Sequence, residues 1–68
     1  MAGCTYRLIV KGELSDRLAP AFEGMELARR DGNTALTGYV RDQPELQALL
    51  RRVSDLGLTL LEAKAIDD

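Results

Sequence analysis

The sequence predicts an α+β domain in which a four-stranded antiparallel sheet carries two helices on one face. Three observations carry that expectation. Residues 5–12 alternate in polarity and are rich in β-branched and aromatic types. Asp31-Gly32-Asn33 divides two strand-like runs, and Asp42 to Gly57 holds a helical apolar stripe between a start and a stop signal. With 68 residues there is room for one core, so a single domain is expected over 1–68, with its ordered part at about 5–66.

Taken in order, Thr5 to Gly12 reads as a strand with Tyr6, Leu8 and Val10 on one face and Arg7, Ile9 and Lys11 on the other. Leu14, Leu18, Ala21 and Phe22 then recur at helical spacing, with Ser15 and Asp16 as capping residues. Pro20 limits this first helix to a short or irregular form, and Gly24 ends it. Met25–Arg30 and Thr34–Val40 form a hairpin, because a glycine between Asp and Asn adopts the positive φ angles of a tight turn. Alternation puts Met25, Leu27, Leu36 and Val40 on its oily side, with Gly38 leaving room for a close approach, and turns Thr37 and Tyr39 outward.

The second helix has the fullest set of signals. Asp42 caps it, Pro44 sits in its first turn, and Glu45 follows Asp42 by three in a capping-box arrangement. Leu46, Leu49, Leu50, Val53 and Leu56 make one stripe, and Gly57 stops the helix with Leu58 as the accompanying hydrophobic contact. A last strand runs from Leu58 to Ile66, where the adjacent Leu60 and Leu61 leave the register open to a bulge.

Strand, short helix, hairpin, long helix, strand is the β-α-β-β-α-β order, and the right-handed crossover rule arranges it as a ferredoxin-like split β-α-β fold. The expected core is Leu8, Val10, Leu18, Phe22, Leu27, Leu36, Val40, Leu46, Leu49, Leu50, Val53, Leu56 and Leu61. The sheet face without helices is expected to carry Arg7, Ile9, Lys11, Ala28, Arg30, Thr37, Tyr39, Leu60, Glu62 and Lys64.

The stretch from Ala21 to Ala63 resembles short, stand-alone bacterial proteins of unassigned activity and ferredoxin-like fold. Ala21-Phe22-Glu23-Gly24-Met25, Leu36-Thr37-Gly38, Asp42-Gln43, Leu46, Leu49-Leu50 and Asp55-Leu56-Gly57-Leu58 carry the resemblance. It implies the fold and a free-standing small protein, and it brings no active-site residue with it.

Composition narrows the function. The chain is 46% hydrophobic and 29% charged, ordinary for a folded domain, with a net charge of −2 and no charge-biased block. Nucleic acid needs a clustered basic surface, which this balance does not supply. One cysteine excludes an intramolecular disulfide. With no apolar run long enough to cross a bilayer and no signal-peptide pattern after Met1, the expectation is a cytoplasmic protein without membrane contact.

No motif rises to a catalytic or cofactor site, so neither an enzyme nor a cofactor is expected. Cys4 has no histidine to activate it and no second cysteine to resolve it. Asp42 and Glu45 are explained by capping, and Arg29-Arg30 and Arg51-Arg52 by solvation. Lys11-Gly12 and Gly24 lack the glycine spacing of a phosphate loop. Acylphosphatases and RNA-recognition motifs share the expected fold class. The segment after Val10 lacks the phosphate cradle and catalytic Arg and Asn of the former, and Tyr6 and Tyr39 fall on opposite faces, unlike the stacking aromatics of the latter.

What remains is an interaction module. A domain this small buries only about 60% of its unfolded surface and gains from a partner. The helix-free face of Arg7, Ile9, Lys11, Ala28, Arg30, Thr37, Tyr39 and Leu60 is the expected contact, made with a second copy or another protein through that face or an edge strand. The alternative is a regulatory domain resembling ACT domains, which bind small molecules such as amino acids between paired copies; Gly38 and Asp42 are its candidate features.

Overall fold

The computed structural model describes residues 3–66; the two residues at each end of the expected 1–68 domain lie outside the described residues. Strand β1 spans Cys4–Lys11, β2 Glu26–Arg30, β3 Asn33–Val40 and β4 Leu60–Ile66, and helix α1 spans Gln43–Asp55. The strands form one antiparallel sheet in the order β2-β3-β1-β4, with the two eight-residue strands at its centre.

The expected ferredoxin-like arrangement with two helices is corrected: α1 is the one α-helix among the described residues. Between β1 and β2 the chain makes only a four-residue 3-10 turn, Ala19–Phe22, so the first half contains no β-α-β unit. Pro20 is the local cause. In an α-helix capped at Ser15 it would lie in the interior, lose a bond to the carbonyl four residues back and collide with it. So short a segment does not repay helix nucleation after that loss. The segment instead takes bonds three residues back, from Leu18 N–H to Ser15 (3.0 Å), Ala19 to Asp16 (3.3 Å), Ala21 to Leu18 (3.0 Å) and Glu23 to Pro20 (3.3 Å). The rung that Pro20 would have donated is missing.

Side chains from the sheet hold this segment. Thr34 is fully buried; its Oγ1 accepts from the Leu14 N–H at 3.0 Å and donates to the Gly12 carbonyl at 2.8 Å. Arg29 donates through Nε to the Leu14 carbonyl and through Nη2 to Asp16 at 2.9 Å. Leu14 and Phe22 are thereby fixed in the core although no helix presents them.

The hairpin and α1 form as their sequence signals require. Asp31 and Gly32, with φ of 54° and 81°, make the two-residue turn closed by the Arg30–Asn33 pair. Asp42 accepts from the Glu45 N–H at 2.9 Å, while Glu45 accepts from the Arg41 N–H at 2.7 Å, one residue before the N-cap. At the other end the Leu58 N–H reaches Val53 (3.1 Å) and the Gly57 N–H reaches Ser54 (2.9 Å), a Schellman motif around Gly57 at φ 75°.

The core joins Leu8, Val10, Leu36 and Val40 of the sheet to Leu46, Leu49 and Val53 of α1, with Leu14 and Phe22 closing it. Leu18, Leu27 and Leu50 are only partly buried against it. Leu56, expected inside, is 37% exposed because it is the C-cap, where the backbone leaves the stripe. Leu61, also expected inside, is 50% exposed, and Leu60, expected on the helix-free face, stands across from Val10 on the helix side. One bulge explains both: Ile9 pairs with Glu62 but Val10 with Leu60, so Leu61 is the extra residue and the parity changes there.

Candidate interaction surface

Antiparallel register places cross-strand neighbours on the same face, so the helix-free side can be read row by row. One row runs Glu26, Thr37, Arg7, Lys64, and the next Ala28, Ala35, Ile9, Glu62. A third runs Arg30, Asn33, Lys11, and at the far end Tyr39, Thr5 and Ile66 stand together. Arg7, Ile9, Lys11, Ala28, Arg30, Thr37 and Tyr39 are thus brought onto one surface, and Leu60 is not among them.

The physical character of this face follows from those rows. Ala28 and Ala35 are too short to fill the middle, which leaves a depression of about 560 Å³ floored by alanine and Ile9 and rimmed by Arg7, Arg30 and Glu62. Arg7, Lys11, Arg30 and Lys64 outnumber Glu26 and Glu62 here, although the chain as a whole carries −2. Arg7 and Lys64 are direct cross-strand partners, a like-charge juxtaposition that costs a sheet stability. Neither takes part in the two ion pairs found among the described residues, Arg29–Asp16 and Arg41–Glu45.

Strand β4 is the second uncovered surface. Residues Leu60 to Ala65 are all exposed, including Ala63 and Ala65, which lie on the same side as Leu8 and Tyr6. Helix α1 packs against β3 and leaves that side of β4 open. This edge strand, exposed on both faces from Leu60 to Ala65, has β1 as its strand partner.

The remaining candidates are absorbed by structure. Asp42 and Glu45 spend their carboxylates on the helix start and Arg41. Gly38 gives its space to Met25, whose Cγ a Cβ at that position would meet at 2.8 Å. Arg52 donates to the Ala21 carbonyl at 2.8 Å and ties α1 to the 3-10 turn, beside a cleft of about 330 Å³. Arg29 and Arg30 point to opposite faces, the former into the loop contacts and the latter onto the open rows. Among the described residues no group of three or more His, Cys, Asp or Glu is placed to hold a metal, and no helix is long and apolar enough to cross a membrane.

Sequence reasoning missed Thr34 and Leu14 in the interior and Glu26, Asn33 and Ala35 on the open face. Strand parity counted outward from the Asp31-Gly32 turn would have found the latter three. Nothing local signals that a threonine hydroxyl reaches a backbone twenty residues away. Among known proteins, a family model described as a domain of unknown function matches residues 5–64. No curated protein and no solved structure matches the chain.

Proposed function

We propose, from the premise that the chain belongs to the DUF8691 family of unknown function, that it is a non-catalytic module that binds a second copy of itself or a protein partner. The observation that carries this reading is β4, exposed along its length from Leu60 to Ala65 on both faces of the sheet. An uncovered edge offers a row of unpaired N–H and C=O groups to another chain, and a core of nine buried hydrophobic residues among those described leaves stability to be gained by covering it.

The chemistry of the uncovered surface supports binding over catalysis. Its charged groups are arginine, lysine and isolated carboxylates, the chain has no histidine, and Asp42 and Glu45 are committed to capping. A protein partner suits it better than nucleic acid, since Tyr39 is the single aromatic residue on the open rows and the chain as a whole carries a net charge of −2. With one cysteine and the resemblance carried by residues 21–63, the reading places the module in a bacterial cytoplasm.

Sedimentation velocity from micromolar to millimolar concentration, with thermal unfolding at each step, tests the module. Self-association raises the midpoint with concentration. A monomer throughout, with an unchanging midpoint and no protein recovered after cross-linking in cell extract, overturns the proposal.

A further inference from the structure

We infer that β4 pairs with β4 of a second copy, antiparallel, about a two-fold axis through Ala63, to continue the sheet across the dimer. This rests on the association proposed above and names the contact. Residues facing one another across an antiparallel pair lie on the same side of the sheet, so a symmetric pairing of one strand with itself must centre on a residue. Centred on Glu62, that residue would face its own copy, and centred on Lys64 the lysines would meet; both juxtapositions are repulsive. Centred on Ala63, Glu62 stands opposite Lys64 of the second copy, twice over, and Leu61 stands opposite Ala65.

Two features of the monomer point the same way. Lys64 lies directly across from Arg7 within the chain, so an acid on its other side relieves a repulsion already built into the sheet. Leu60 and Leu61, 39% and 50% exposed, are the exposed large apolar side chains of the uncovered strand. The other edge is less suited: β2 has five residues, and self-pairing there sets Arg29, engaged with Leu14 and Asp16, against Leu27.

The test is a charge swap with a covalent trap. E62K and K64E each turn two attractive pairs repulsive and weaken the dimer about ten- to a hundredfold, while E62K/K64E together restores it to within about threefold. In a Cys4→Ser background, Ala63→Cys cross-links under oxidised glutathione, since a residue on the axis faces its copy at about 4.5–5.5 Å between Cα atoms, inside the disulfide range. Ala65→Cys, four positions from its own copy along the strand and so about 13 Å away, does not. Circular dichroism of each variant checks that it folds. A dimer indifferent to the swaps, or trapped equally by both cysteines, overturns this contact and leaves association by another surface standing. A wild-type chain that stays monomeric overturns this contact, and overturns the proposed function as well when cross-linking in cell extract recovers no protein.

Discussion

Replacing Thr34 by valine keeps the volume and removes the hydroxyl that fastens the Gly12–Leu14 bend to β3. The Leu14 N–H is left in a buried position without its acceptor, which costs about 1–3 kcal/mol. The Gly12 carbonyl sits at a half-buried site that water reaches, so its loss is only the net worth of an ordinary hydrogen bond, about 0.5–1.5 kcal/mol. Together these give about 1.5–4 kcal/mol after the small gain from an extra buried methyl. For a domain of this size that corresponds to a fall of about 6–30 °C in Tm. Urea unfolding followed by far-ultraviolet circular dichroism measures it as a lower midpoint at unchanged slope. Thr34→Ser, which keeps the hydroxyl, loses far less. If Thr34→Val unfolds within about 0.5 kcal/mol of wild type, the hydroxyl is not what holds the bend, and the account of the Leu14–Phe22 segment fails.

Two further substitutions probe neighbouring contacts. Arg29→Ala destabilises by about 1.5–3 kcal/mol through the lost bond to the Leu14 carbonyl. Asp16→Ala changes stability by less than about 0.5 kcal/mol, because that carboxylate is almost wholly in solvent; equal effects in parallel urea titrations would contradict this division. Gly38→Ala forces Met25 aside at a cost of about 1–3 kcal/mol, most of which disappears when Met25→Ala is added. A double-mutant cycle with strictly additive effects would show that the two do not share the space.

Where structure is local, the residues declare it. Asp42, Pro44, Glu45 and Gly57 specify where α1 starts and stops without help from the rest of the chain, and Asp31-Gly32 sets the hairpin. The alternation in β1 then decides which side is oily, and with it most of the open face, down to Arg7, Ile9 and Tyr39. The expectations that fail depend on relations between distant residues. Periodicity from Leu14 to Phe22 is helical on paper, but Pro20 removes a rung and Thr34, Arg29 and Arg52 supply anchors from elsewhere in the fold. Leu60 and Leu61 follow a bulge that is defined only against β1, so no reading of β4 by itself assigns their faces. Leu56 belongs to the stripe by spacing and leaves it by backbone conformation at the cap.

The central position of β1 shapes how the molecule comes into being. This strand has both its neighbours, β3 and β4, later in the chain, and Thr5 meets Ile66 near opposite ends of the described residues. The hairpin and α1 are local in sequence and can take shape early. The oily stretch from Tyr6 to Val10 waits, half paired, until β4 docks, and contacts so far apart in sequence make closure slow. During that interval the nascent chain is most open to capture by chaperones or to mispairing with its neighbours.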